Sequence, residues 1–161
     1  MRTIPFRHIV VRYILEKRPA QLSAIEYRAL AEFRYRIRRF LRFSEQAARR
    51  AGLEPAQHQL LLAVKAYTGE PTVGNLAERL QARHHSVVGL ADRLAESGLV
   101  KRNRAAVDRR QVRIRLTAKG EAVLRKLSLE HRVELGTEGG ALAAALQAIV
   151  ARKGSPPDRR R

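Results

Sequence analysis

Several residue types are absent or scarce in this chain of 161 residues, and each absence narrows the class of protein. There is no cysteine, which excludes disulfides, thiolate zinc sites and thiol-based redox sensing. There is no tryptophan and only 5% aromatic residues, so recognition of unpaired bases by stacking is a poor hypothesis. No apolar run approaches the roughly 20 residues that cross a bilayer, so we expect no membrane partner. With 45% apolar residues, the chain can build one domain with its own core.

Motifs of enzyme chemistry are also missing. There is no glycine-rich phosphate loop after a strand, no nucleophile elbow and no tight pair of acids beside a histidine. His84 and His85 are adjacent, and adjacent side chains on a helix do not point at one site, so we predict no metal site. We predict neither catalysis nor a cofactor. The N-terminus has charges through its middle and no small-residue cleavage site, so we expect a cytoplasmic protein without a secretory signal.

Acidic residues are scarce beside basic ones. The chain has 33 Lys and Arg against 15 Asp and Glu, a net charge of +18. Residues 1–50 carry 13 basic and 4 acidic side chains and residues 71–120 carry 11 and 4, whereas residues 51–70 carry 1 and 2. A charge concentrated in two blocks favours a binding surface for a polyanion over a uniformly solvated coat.

The first part of the chain predicts a long helix. Residues 1–22 are an N-terminal extension with a rough helical stripe, although a short strand also fits, and we expect it at a dimer interface. Ser23 and Glu26 have capping-box spacing, and apolar residues follow at intervals of three and four until Gly52. A seam of this length usually needs a partner helix, so residues 23–52 are predicted to be a dimerisation helix.

Residues 53–116 show the order short helix, tight turn, helix and two strands, which predicts a winged helix-turn-helix DNA-binding domain. Thr72 can cap the short helix, and the next helix covers residues 84–97. In "QVRIRL" apolar and basic residues alternate, so Arg113 and Arg115 share one face of a strand. The two helices are predicted to pack through Leu76, Ala77 and Leu80 against Val87, Leu90 and Leu94.

Residues 117–152 are predicted to form C-terminal dimerisation helices. Thr117 caps the first of them, and "GTEGG" at 136–140 predicts a break before the second. The polar, charge-rich segment 153–161 predicts a disordered basic tail. The predicted fold class is therefore mainly α with a small β-hairpin wing, a winged helix-turn-helix between long N- and C-terminal dimerisation helices.

The basic blocks and the predicted fold together indicate double-stranded DNA as the partner. The helix over residues 84–97 would read the major groove, and the wing over residues 103–111 would reach the minor groove. Asp108 cannot attract DNA by itself, but a carboxylate can hold a neighbouring arginine extended. The predicted DNA contacts are Arg83, His84, His85, Ser86, Arg93, Arg104, Asp108, Arg109, Arg110, Arg113 and Arg115.

The sequence resembles the MarR (multiple antibiotic resistance regulator) family of transcription factors. The resemblance lies in "LAERL", in "ADRLAESGLVKR" and in "DRRQVRIRLTAKG", the last of which carries the family's Asp-x-Arg wing motif at Asp108 and Arg110. It covers about residues 24–150. One departure is the start of the second helix, where family members commonly have Ser or Thr and this chain has Arg83, His84 and His85 before Ser86.

The resemblance implies an obligate homodimer, a pseudo-palindromic operator and, in many members, a pocket for a small ligand between the two parts of the subunit. We expect a small anionic or aromatic effector and regulation by repression. The predicted interface residues are Leu30, Phe33, Ile37, Leu41, Leu127, Leu142, Leu146 and Ile149, and the predicted pocket residues are Phe33, His58 and Tyr67.

Other interpretations remain open at this point. A nucleoid-type structural protein would use the +18 charge to bind DNA with little sequence specificity. A protein-interaction module could keep the fold without binding DNA, although the basic wing argues against it. His58 and Tyr67 could equally be ordinary core residues, because packing is the commoner role of such side chains.

Overall fold

The computed structural model describes residues 22–104 and 112–150. The described residues form helices around one antiparallel ribbon, which confirms the predicted mainly α fold class. The N-terminal extension before Leu22, the wing loop 105–111 and the C-terminal tail lie outside the described residues. The elements are α1 (Ala24–Arg50), α2 (Pro55–Ala66), α3 (Val73–Leu80), α4 (His84–Glu96), β1 (Val100–Arg104), β2 (Val112–Leu116) and α5 (Ala118–Val150).

The helices begin where local chemistry satisfies their free backbone amides. Ser23 Oγ accepts a hydrogen bond from the Glu26 amide at 3.3 Å, and Glu26 Oε2 accepts one from the Ser23 amide at 2.7 Å. Thr72 and Asn75 form the same reciprocal box at the start of α3. The predicted capping roles of Ser23 and Thr72 are therefore confirmed.

The core lies where the winged segment meets the start of α5. Its fully buried members include Leu60 and Leu61 of α2, Leu76 of α3, Leu94 of α4 and Ile114 of β2. The predicted contact between α3 and α4 is confirmed, because Leu76, Val87 and Leu94 are buried together and Ala77, Leu80 and Leu90 pack against them. This packing leaves the opposite side of α4 exposed to solvent.

Helices α1 and α5 pack against each other in antiparallel directions. Arg36 pairs with Glu138 at 3.1 Å and Arg50 with Glu130 at 3.4 Å, so the two helices run in opposite directions. In the ribbon, β1 and β2 are also antiparallel, with Lys101 opposite Arg115. Among the described residues, no helix is long and apolar enough to span a membrane.

The predicted break at 136–140 is wrong, because α5 is one continuous helix of 33 residues. Each glycine there costs about 1 kcal/mol relative to alanine in a helix, which local propensity alone would not overcome. Packing overcomes it, since Glu138 lies between the glycines and pairs with both Arg36 and Arg39 of α1. The predicted pair of C-terminal helices is thus a single helix.

The predicted role of Leu127 as a dimer contact is also wrong. Leu127 is 1% exposed and belongs to the subunit's own core, so its side chain has no surface left for a partner. The 3.6-residue period places Leu127 on an apolar face but does not say which neighbour covers that face.

Candidate nucleic-acid interface

The start of α4 presents an exposed, acid-free surface. Arg83 is the N-cap residue with extended backbone, its side chain makes no cap hydrogen bond, and the first turn contains no acidic residue. His84, His85 and Ser86 are all exposed in that turn. Free backbone amides and the positive end of the helix dipole favour an anion at such a position.

The exposed side of α4 also carries Arg93. A Cβ atom built at Gly89 would lie 3.7 Å from the Arg93 Nη1 atom, so the Arg93 guanidinium lies back along the helix over this glycine. Gly89 and Arg93 are therefore neighbours on this side of α4. Ser86 and Arg93 thus share one exposed side of α4, whereas His84 lies on the side that faces the ribbon.

The ribbon has a basic face and an apolar face. Arg113 and Arg115 are exposed and alternate with Ile114, which is fully buried. The strand register adds Lys101 and Asn103 of β1 to the basic face, since they lie opposite Arg115 and Arg113. The Arg115 Nε atom lies 3.9 Å from Glu70 Oε1, so part of its charge is offset within the subunit.

The ribbon is held on the helices by backbone contacts. The Ile114 amide donates a hydrogen bond to the Pro71 carbonyl at 2.9 Å, and Arg113 forms a bridge with Thr72. These contacts add a third backbone partner beside β2, which matters because an isolated two-stranded ribbon is marginally stable.

Sequence reasoning missed Lys101 and Asn103 on this surface, and it also missed an ion pair between the ribbon and α4. Arg102 lies opposite buried Ile114 in the register and so faces the helices, where its Nη1 atom forms an ion pair with Oδ1 of Asp92 on α4. The alternation of β1 could have indicated the direction of Arg102, but nothing local in the sequence connects it with Asp92.

The tip of the predicted wing lies outside the described residues. Arg104 is the last residue of β1, while Asp108, Arg109 and Arg110 lie outside the described residues. The pairing of Asp108 with a neighbouring arginine stays a prediction.

The predicted pocket residues do not line one cavity. Tyr67 is 42% exposed and lines a groove of about 550 Å³ between α2, the ribbon and the start of α5, whose lining includes neither Phe33 nor His58. Phe33 is half-buried on α1. The groove contains Lys101 and Arg115 at the ribbon end. It adjoins a second groove of about 440 Å³ whose lining includes Leu62, Leu124 and Arg125, and a 2.8 Å ion pair between Lys65 and Glu121 lies in the shared wall.

His58 is buried instead beside the partly buried His131. It is 5% exposed, and its ring centroid is 4.9 Å from that of His131 on α5. His131 Nδ1 lies 2.7 Å from the Leu127 carbonyl oxygen and Nε2 lies 2.8 Å from Ser44 Oγ, so both of its nitrogens have partners. Burial, and to a smaller extent His131, lowers the pKa of His58. The two histidines connect α1, α2 and α5. These contacts favour the alternative in which His58 is an ordinary core residue.

The helix pair, the ribbon and their exposed basic surface define a winged helix-turn-helix protein. Residues 51–111 match the MarR family model. Over this segment the chain is therefore similar to the MarR family, which confirms the resemblance seen in the sequence.

Two curated relatives come from Bacillus subtilis (strain 168). The HTH-type transcriptional regulator YfiV is 39% identical over 67 residues, 42% of this chain and 42% of that protein. The HTH-type transcriptional repressor MdtR is 32% identical over 76 residues, 47% of this chain and 48% of that protein. The chain thus spans about half the length of the curated relatives it matches.

The solved structures include CouR in two states. One structure shows the transcriptional repressor CouR bound to a 23-mer DNA duplex. It is 27% identical to this chain, with a TM-score of 0.56, and the match covers 71% of this chain and 85% of that one. CouR from Rhodococcus jostii RHA1 bound to p-coumaroyl-CoA is 22% identical, with a TM-score of 0.55 over 73% and 87%. At 22% identity, the similarity to the p-coumaroyl-CoA complex is a similarity of fold alone.

Proposed function

We propose that this chain is a homodimeric, sequence-specific DNA-binding transcriptional regulator, and that it acts as a repressor. The observation that carries the proposal is the exposed, acid-free start of α4 beside the basic face of the ribbon, within a MarR segment. MdtR is a repressor and CouR has been seen on DNA, which supports the same activity here. In this proposal the chain binds DNA and regulates transcription, and we assign it no catalytic step. We propose a cytoplasmic location, where its DNA target would lie.

In this proposal α4 enters the major groove and the wing over residues 103–111 reaches the adjacent minor groove. His84, His85 and Ser86 would meet base edges, because side chains near the start of a recognition helix reach deepest. Lys101, Arg113 and Arg115 would follow the phosphate backbone, and Arg109 and Arg110 would enter the minor groove with Asp108 orienting Arg110. Arg83, Arg93 and Arg104 complete the proposed contact set.

The dimer would be formed by α1 and α5, flanking residues 53–116 as the DNA-binding unit. Large apolar side chains are exposed on both helices, including Leu41 at 47%, Val133 at 70%, Leu146 at 45% and Val150 at 59%. Such a surface on a chain of this charge favours a second copy as its cover. Leu30, Phe33, Ile37, Leu142 and Ile149 are half-buried and would lie at its edges. Two α4 helices could then meet half-sites about 34–36 Å apart.

The groove lined by Tyr67 is the proposed effector site. Lys65 and Arg115 pair with Glu121 and Glu70 of the same lining, so Lys101 leaves the groove with a net positive charge. Together with the ring face of Tyr67, this charge suits a small anionic or aromatic molecule. The p-coumaroyl-CoA bound to CouR belongs to that chemical class. An effector there would touch α2, the ribbon and α5 together, so it could change the spacing of the two half-sites.

The proposal is tested by selecting duplexes from a random-sequence pool with the full chain and then measuring competition against unselected duplex at physiological salt. We expect a pseudo-palindromic sequence to be enriched and bound at least a thousandfold tighter, on the order of typical specificity ratios. Equal binding of selected and random duplexes would instead support the nucleoid-type alternative, in which counterion release supplies the affinity.

A matched pair of variants locates the contact surface. Arg113→Ala should weaken binding of all duplexes and reduce the salt slope by about 1, as expected for one lost phosphate contact. Lys126→Ala, which removes one exposed positive charge from α5, should leave both quantities unchanged. Equal effects of the two variants would show that net charge alone drives binding.

A further inference from the structure

One ion pair connects the two elements proposed to contact DNA. Arg102 of β1 and Asp92 of α4 retain 33% and 41% exposure of their side chains. Arg102 shares its ribbon face with buried Ile114, whereas Lys101 and Asn103 lie on the opposite face. Arg102 is therefore directed at the recognition helix, away from the basic face of the ribbon.

Asp92 lies on the side of α4 that faces the ribbon. It follows His84 and Val88 at intervals of four residues, which places the three side chains on one side of the helix. His84 and Val88 line one cavity together with Arg102 and Val112. The ion pair therefore closes the space between the first turns of α4 and the ribbon.

The carboxylate of Asp92 is electrostatically unfavourable in a DNA-binding surface. A negative charge near phosphates opposes association unless a cation neutralises it. The pair is partly exposed, and exposed pairs contribute little to folding stability. Its main effect should therefore be felt when DNA is bound.

We propose that Arg102 and Asp92 are positioning residues that hold the ribbon at a fixed distance from the recognition helix, and that Arg102 does not itself contact phosphate. The inference rests on the proposed DNA-binding function. A shared guanidinium–carboxylate contact fixes direction as well as charge, so α4 and the ribbon present one rigid surface to the two grooves.

Two readings of Arg102 make opposite predictions for Asp92→Asn. If Arg102 contacts phosphate, removing the acid frees the guanidinium and tightens binding. If the pair positions the ribbon, Asp92→Asn weakens binding even though it deletes a negative charge. Arg102→Met should then weaken binding by the same factor, about tenfold for coupled residues, and the double variant should be no weaker than either single one.

The test uses the full chain, the duplex selected by the wild-type protein, and a random duplex of equal length. Asp92→Asn, Arg102→Met, the double variant and the exchanged pair Asp92→Arg with Arg102→Asp are compared by equilibrium binding at several salt concentrations. We expect the exchanged pair to regain specific affinity to within about threefold of wild type, because the contact is restored with its charges reversed. Lys101→Met is the matched control, with the same loss of charge on the other ribbon face, and should weaken both duplexes equally.

Thermal melting of each variant separates positioning from folding, and we expect melting temperatures within a few degrees of wild type. A loss of affinity that tracks a loss of stability overturns the proposal, as do tighter binding by Asp92→Asn or additive losses in the double variant. Arg102→Lys keeps the charge but lacks the planar fork, and wild-type affinity in that variant also contradicts it.

Failure of the proposed function would look different. If the wild-type chain enriches no duplex, sequence-specific regulation is contradicted, and the same variants are compared on the random duplex. If the Asp92→Asn variant binds the random duplex as tightly as the wild-type chain does, or more tightly, the positioning role is overturned.

Discussion

The winged segment and the long helices bury their apolar residues in different ways. Leu60, Leu76, Leu94 and Ile114 are fully buried within one subunit. Along α1 and α5, by contrast, Leu41 and Val133 keep 47% and 70% of their surface exposed. The segment that would contact DNA is therefore stabilised by its own chain, whereas the helices leave an apolar surface for which we propose a second copy.

The largest effect should come from the core of the winged segment. Leu94→Ala removes a fully buried side chain from the contact between α3 and α4 and should lower the free energy of unfolding by about 2–5 kcal/mol. Chemical denaturation followed by circular dichroism measures this. Val133→Ala is the comparison, because the exposed side chain on α5 should cost far less in a dilute monomer; equal losses would contradict the contrast between the two regions.

The next effect should come from the proposed dimer surface. Leu41→Asp places a charge on the exposed apolar face of α1 and should weaken dimerisation a hundredfold or more, about 3 kcal/mol. Sedimentation at several concentrations reports the shift, and circular dichroism should show that the helices persist. Gln46→Asp adds the same charge at an exposed polar position of α1 and should leave the dimer intact. A dimer that survives Leu41→Asp would remove this face from the interface.

Two glycines of α5 sharpen the comparison further. A Cβ at Gly120 would lie 2.0 Å from the Leu99 carbonyl oxygen, so Gly120→Ala should destabilise the fold by about 1–3 kcal/mol. A Cβ at Gly136 meets nothing within 4 Å, so Gly136→Ala should stabilise the helix by about 0.5–1 kcal/mol. Denaturation of both variants tests the signs. Two changes of the same sign would contradict the packing at one of these positions.

The smallest effect concerns pH. The pKa of His58 is lowered in the folded protein, so below about pH 6.5, the ordinary histidine pKa, the unfolded chain binds more protons than the folded one. Stability should therefore fall as the pH drops from there toward the folded pKa. Unfolding free energies between pH 5 and 8 should show a shallower dependence in His58→Gln than in wild type. His85→Gln, at an exposed position, is the control and should keep the wild-type slope.

Local sequence patterns predicted the elements well where one short-range interaction decides them. The capping boxes at Ser23 and Thr72 need a partner only three residues away. The alternation through Arg113, Ile114 and Arg115 likewise follows from the pleat of a strand. Contacts between distant segments were not predictable in this way. The Asp92–Arg102 pair and the contact of His58 with His131 depend on how helices and ribbon are placed together.

By itself, the sequence determined the positions of most helices and of both strands, the concentration of positive charge and the resemblance to the MarR family, because periodicity, capping and motifs act over a few residues. Only the tertiary structure decided that α5 continues through its glycines, that Leu127 belongs to the subunit core and that Arg102 faces α4. Each of these depends on which distant segment packs against a residue, and the free energy of that packing exceeds the local preferences that the sequence displays.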